Sequence, residues 1–508
     1  MGNDMQRQQR LSQFNETSAE AFSPFAPVSK ANLQAAKPRD HKLCSSLENA
    51  IRRSGLQDGM TISFHHAFRG GDLTLNQVVD TLAVMGFKNL TLASSSLSEC
   101  HGPLIEHIRH GVISAIYTSG LRGPLAEALS HGALPELPPV QIHSHGGRVN
   151  LIESGELSID VAFLGVPACD IFGNANGHSG KARCGSLGYA QVDAQYARQV
   201  VLLTEQVLPY PHVASIAQDR VDLIVQVERV GDAEKIGADA TRMTTNPREL
   251  LIARRAADVI VASGYFKQGF SLQTGTGGAS LAVTRFLENS MRRQGITAGF
   301  ALGGITASIV DLHEKGLIER LLDVQSFDRQ AAESLARNPG HYEISANQYA
   351  NLGSKGASVE QLDVVVLSAL EIDTGFNVNV LTGSDGVLRG ASGGHCDTAA
   401  AARLAIIVAP LVRGRIPTLV EQVTTCVTPG SSIDILVTDH GIAVNPSRPD
   451  LTKSLQLAGV HTVTIEWLYE RARLLSGEPT PLAFTDRVVA VVRYRDGSVI
   501  DVVHQIEE

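Results

Sequence analysis

Three short glycine-rich stretches carry most of the chemistry legible in this chain. Gln273-Thr274-Gly275-Thr276-Gly277-Gly278 stands between an apolar run and an amphipathic one, where a strand feeds a helix. Glycines there let an anion, or an oxyanion forming during acyl transfer, approach backbone N–H groups at a helix N-terminus. Gly303-Gly304 and Gly393-Gly394 are further pairs at a strand end or helix start, and Gly70-Gly71 occupies the matching place earlier in the chain. Ser280 stands where a dinucleotide fingerprint needs its last glycine, and no Lys-Ser/Thr completes a P-loop. The pattern predicts one cleft lined by backbone. Gly277, Gly278 and Gly304 would serve as oxyanion and positioning loops, with Gly70, Gly71, Gln273, Gly275, Gly393 and Gly394 binding substrate. Asn377 and Asn379, following Asp373, would add polar groups; an Asx turn is the competing reading. An anionic substrate needs cations, and Arg69, Arg183 and Arg389 flank these motifs, where solvated surface arginines are the alternative.

Weaker signals point elsewhere. Gly390-Ala391-Ser392-Gly393-Gly394 fits the hydrolase pattern GxSxG, with Asp439-His440 downstream in the right order. That pattern needs a strand running into the serine, and residues 383–389 read as a loop. His65-His66 and His143-Ser144-His145 have no acid at metal-ligand spacing, so they read as core or loop histidines and no metal is expected.

The elements that would position these residues recur along the chain. A short helix closed by Gly55 leads to the strand Met60–Phe64, the Gly70-Gly71 pair, an amphipathic helix closed by Gly86 and the strand Leu90–Leu92. The same order returns after the cap Asn246-Pro247-Arg248-Glu249: Gly264, the strand Phe270–Gln273, the glycine loop, Gly295 and the strand Ala298–Leu302. The glycine offsets are 209, 207 and 209. Asp160–Asp170 likewise matches Asp363–Asp373 at an offset of 203, which also carries Asn174 and Asn176 onto Asn377 and Asn379. This is a tandem duplication of an α/β unit, predicting two homologous domains with parallel-rich sheets and the site between them. The expected divisions are an N-terminal extension over 1–41, a first domain over 42–235 and a second over 236–508.

Composition sets the outer limits. Hydrophobic residues make up 43% of the 508, enough for large cores. A net charge of −9 without a Lys/Arg block argues against nucleic acid. The longest apolar runs, such as 362–370, fall well short of the roughly 20 residues a membrane helix needs. The N-terminus has no apolar segment of a secretory signal, and six scattered cysteines form no CxxC pair, so a reduced cytoplasmic protein is expected.

With these motifs in order, the chain resembles the coenzyme A transferases. The carriers are QTGTGG, the downstream GGIT, ALEIDTGFNVN followed by GASGGHCD, and KNLTLASSS after the first glycine pair. Within that family it is most similar to the citrate lyase alpha subunits, which HSHGGRVNLIESGELSIDVAFLGVPACDIFGNANG also fits. The resemblance spans about residues 42–450 and implies exchange of citrate for acetate on the thioester of an acyl carrier protein. It further implies a beta (lyase) subunit and a gamma acyl carrier protein as partners in an oligomeric complex. The carrier's phosphoribosyl-dephospho-CoA group, CoA or acetyl-CoA would be substrate, with no cofactor bound covalently to this chain. Many family members place a glutamate shortly after the GG of the second domain, where it forms an enzyme-bound thioester. Here Gly303-Gly304-Ile305-Thr306-Ala307-Ser308-Ile309 precedes any acid, the first being Asp311. Direct attack by the substrate carboxylate is therefore expected. The competing readings are a covalent CoA transferase or hydrolase, with Glu371 as the candidate nucleophile, and a non-catalytic scaffold.

Overall fold

The computed structural model describes residues 42–237, 243–275, 277–477 and 480–507; the expected N-terminal extension lies outside them. Apolar, β-branched runs bounded by glycine turns form the strands of two parallel sheets. The first contains β1 (Thr61–Phe64), β2 (Leu90–Ser94), β3 (Ile113–Thr118), β4 (Val140–Ile142), β5 (Val161–Asp170), β6 (Gln199–Leu208) and β7 (Leu223–Gln226). The second contains β8 (Ser271–Thr274), β9 (Ala298–Ile305), β10 (Ile318–Ser326), β11 (His341–Glu343), β12 (Val364–Ser368), β13 (Leu404–Val408) and β14 (Ile435–Val437). Their spatial orders are β7-β6-β5-β1-β2-β3-β4 and β14-β13-β12-β8-β9-β10-β11. The two sheets thus repeat one topology strand for strand, and every one of these pairings is parallel.

The fold class expected from the sequence is the one observed. The chain's last two strands, β15 (Phe484–Arg493) and β16 (Val499–Ile506), return to the first sheet, where β15 pairs in parallel with β4. β5 is central and buried at all ten positions. Truncating Leu164 there to alanine would cost about 2–5 kcal/mol through lost burial and the cavity left behind.

Helix ends follow the local signals. In α1 (Leu47–Ser54) the Ser46 hydroxyl accepts from the Asn49 N–H, and Gly55 closes the helix at φ 71°. In α2 (Pro247–Ala262) the Asn246 side chain accepts from the Arg248 N–H, with Pro247 at the first position. The 17-residue α3 (Gly278–Gln294) begins after Gly277 and ends at Gly295 in the left-handed region. No helix among the described residues is long and apolar enough to cross a membrane.

Candidate active site

Ligands of parallel α/β sheets bind beyond the carboxyl ends of the strands. Here those ends from both sheets converge on a cavity of about 600 Å³. His66 follows β1, Ser96 and Ser98 follow β2, and Arg122 follows β3, with His145 after β4. Opposite them stand Gln273 in β8, Gly275 and Gly277 after it, Gly304 in β9, Phe327 after β10, Tyr349 after β11, and Ser392–His395. The cavity is therefore shared between the two repeats.

The wall from the first repeat is cationic. Arg69 sits in the left-handed region at φ 55°, a conformation costing a non-glycine residue about 1–2 kcal/mol. Its guanidinium lies 4.2 Å from the centroid of the Phe327 ring. One of its nitrogens, Nη1, is buried without a partner. Burial, with the Arg122 charge nearby, pulls its pKa down to about 10, so it remains cationic at neutral pH. Arg122 and Lys235 complete the cations; no Asp or Glu lines the cavity among the described residues.

The wall from the second repeat is backbone. Gly277 caps α3, and a Cβ on it would sit 2.4 Å from the Ser368 hydroxyl, itself 2.8 Å from the Ser280 hydroxyl. At Gly304 a Cβ would fall 1.6 Å from the Phe327 ring, so only glycine lets that ring lie against the strand and carry Arg69. Gly303, at φ +100°, faces the Gln273 amide, which donates to the Tyr349 hydroxyl at 2.9 Å and leaves its Oε1 unpartnered. The Ser392 hydroxyl is also buried and unpartnered.

The expected residues divide into two sets. Arg69, Gly70, Gln273, Gly275, Gly277, Gly304, Gly393 and Gly394 come together around this cavity. Gly71 packs against the Asp232 carbonyl, and Gly278 faces Thr244 and Glu249. Glu371, Asn377 and Arg389 line a separate cleft of about 1370 Å³. There the Glu371 carboxylate accepts from the Asn379 amide, the Thr424 N–H and the Thr424 hydroxyl. Asn379 is fully buried, and Asp373 accepts from the Gly375 and Asn377 N–H groups, forming the Asx turn. Arg183 donates to the Gly180 carbonyl, outside the cavity lining. Ser392 does line the cavity, but Asp439 and His440 do not, so no hydrolase triad assembles around it.

The histidines are the residues that sequence reasoning missed. His65 stays structural, donating from Nε2 to the Gly165 carbonyl at 2.8 Å. His66, His145 and His395 line the cavity. His395 is engaged at both nitrogens, by the Thr428 hydroxyl and the Ser368 carbonyl. Burial lowers its pKa to about 4. His66 and His145 follow β1 and β4 directly. The rule that singled out the glycine loops, that ligands gather at strand carboxyl ends, was the available signal for them. No group of three or more His, Cys, Asp or Glu among the described residues could hold a metal.

A family model described as citrate lyase, alpha subunit, matches residues 40–506. The citrate lyase alpha chain of Escherichia coli (strain K12) is 76% identical over 504 residues, covering 99% of this chain and 98% of that one. The Klebsiella pneumoniae citrate lyase alpha chain is 70% identical, with 96% of each chain covered. A crystal structure of a citrate lyase alpha subunit from Streptococcus mutans, in complex with citrate, superposes with a TM-score of 0.92 at 55% identity, over 94% of this chain and 93% of that one.

Proposed function

Because the chain belongs to the citrate lyase alpha-subunit family, we propose that it exchanges citrate for acetate on the thioester of an acyl carrier protein. The single observation carrying the mechanism is the cavity's charge: Arg69, Arg122 and Lys235 with no carboxylate among the described lining residues. Such a cavity attracts a polycarboxylate and offers no acid to form an enzyme-bound thioester. A citrate carboxylate oxygen attacks the acetyl carbonyl, and the tetrahedral oxyanion takes the N–H of Gly277 at the start of α3. Collapse breaks the C–S bond, giving a citryl–acetyl anhydride and the carrier thiolate. That thiolate attacks the citryl carbonyl and releases acetate, so no proton is consumed overall.

The halves 42–235 and 236–508 supply opposite walls, and the protein's contribution is positioning and oxyanion stabilisation. The carrier's phosphoribosyl-dephospho-CoA arm, or acetyl-CoA in its place, enters as substrate. A beta subunit would cleave the citryl-carrier, and the carrier is the gamma subunit of the same oligomeric complex. Six free cysteines suit a reducing, cytoplasmic setting. The test is acetate release by the purified protein from acetyl-CoA. Release only when citrate is added, matched by a citryl thioester, is expected. Release without citrate would make the protein a hydrolase and overturn the reading.

A further inference from the structure

His66 and His145 share one wall with Arg69 and Arg122, and their hydrogen bonds fix where each ring carries its proton. The Tyr189 hydroxyl lies 2.5 Å from His145 Nδ1 and has no other partner among the described residues. A buried phenol must place its only hydrogen somewhere, so Tyr189 donates and His145 Nδ1 accepts. His145 is then protonated at Nε2, whose edge lies 4.0 Å from where a Cβ on Gly393 would stand. The same accounting holds for His66. The buried Ser95 hydroxyl accepts from the His66 backbone N–H at 3.0 Å and sits 2.5 Å from His66 Nδ1. Among the described residues no other acceptor faces the Ser95 hydrogen, so it goes to Nδ1 and His66 Nε2 also carries a proton.

Neither Nε2 has a protein partner among the described residues, whereas both nitrogens of the neighbouring His395 do. The two rings are 5.5 Å apart, each 4.6 Å from the Tyr189 ring. Burial holds both neutral, aided by the Arg148 and Arg122 charges on His145, lowered to about 3, and by the Arg69 and Arg122 charges on His66.

The scaffolding comes from the other repeat. Gln325 donates to the His66 carbonyl at 3.0 Å, and the His145 N–H donates to the Gly393 carbonyl at 2.8 Å. Asp397 accepts from the Ser144 hydroxyl at 2.7 Å and the Gly146 N–H at 2.9 Å, gripping the residues on either side of His145.

We propose that His66 and His145 are neutral N–H donors to the carboxylate oxygens of the polycarboxylate substrate, selecting it alongside Arg69 and Arg122, while Ser95, Tyr189 and Asp397 are positioning residues. The proposal rests on the citrate-exchange reading. Its consequence is that these histidines bind the acid and take no proton from it.

The test uses the full chain with acetyl-CoA and citrate. His66→Phe and His145→Phe keep a planar ring and remove the donor; each should raise the KM for citrate about 10- to 100-fold, the value of a hydrogen bond to a charged group. The KM for acetyl-CoA should stay within about twofold, which a merely disturbed fold would not allow. His66→Gln and His145→Gln, which restore an N–H, should recover most of the loss. Independently of turnover, the His66 and His145 signals of the histidine-labelled protein, assigned as those lost in the Phe variants, should read as neutral Nε2–H tautomers at pH 7. An unchanged citrate KM in both Phe variants would overturn the proposal, as would an imidazolium or Nδ1–H form of the assigned His66 and His145 signals. If the wild type releases no acetate with citrate, the exchange reading falls. The tautomer spectrum and calorimetric citrate binding by wild type and Phe variants then still decide the histidines.

Discussion

Gly277→Ala separates the oxyanion role of the glycine turn from its structural role. The residue has φ −64°, so alanine adopts its backbone without strain. The added methyl would sit 2.4 Å from the Ser368 hydroxyl and 3.3 Å from Ser368 Cβ. Either the hydroxyl rotates away, losing its 2.8 Å bond to Ser280, or the turn shifts. Loss of that bond alone costs about 1 kcal/mol, which in a chain this long lowers Tm by no more than a few degrees. A displacement of a few tenths of an ångström takes the Gly277 N–H off the developing oxyanion. One such donor is worth about 3 kcal/mol, or roughly 10²-fold in kcat. The expected result in the acetate-release assay is therefore a kcat about two orders lower with a nearly unchanged Tm. Gly277→Ala/Ser368→Ala, which removes the obstructing hydroxyl, should recover at least tenfold. Full activity in Gly277→Ala would refute the assignment of this turn to the oxyanion.

Other outcomes follow from the same geometry. Arg69→Gln removes the cation resting on Phe327 and should raise the citrate KM roughly 10- to 100-fold; steady-state kinetics at varied citrate checks it. Arg69→Lys should recover only part, because a point charge replaces a planar fork. Glu371→Gln should leave kcat within about twofold while lowering Tm, since the carboxylate is occupied by Asn379 and Thr424 outside the cavity; a loss of 10³-fold would support a glutamyl intermediate. Burial raises the Asp397 pKa from 3.8 to about 6. That group's contribution to stability is thus full below pH 3.8 and is lost as pH rises through about 6, amounting to about 3 kcal/mol. The Tm difference between wild type and Asp397→Asn should fall across that window, and a flat difference would contradict the shift.

The fold was legible because its punctuation is local. Asn246-Pro247 and the glycines at 55 and 295 mark helix ends through backbone geometry that a few neighbouring residues dictate. The duplication was legible because both repeats keep those marks in register, and the sheets show one strand order twice. Part of the site was legible for the same reason: Gly277 and Gly304 are demanded by close approaches at strand ends. The return of β15 to β4 left no local mark, because parallel pairing of distant segments has no turn to announce it. The histidines were opaque for a related reason. What distinguishes His66 and His145 from His65 is a partner 29 or 44 residues away, not the residue type. Asn377 and Glu371 stand in a motif whose polar groups serve an Asx turn and a buried network.

Transfer without an enzyme-bound acyl or CoA adduct can be checked by intact-mass measurement after incubation with acetyl-CoA and borohydride trapping. The expected outcome is an unmodified chain, with acetate appearing only once citrate is present. A trapped adduct mapping to Glu371 or any other carboxylate of this chain would contradict it.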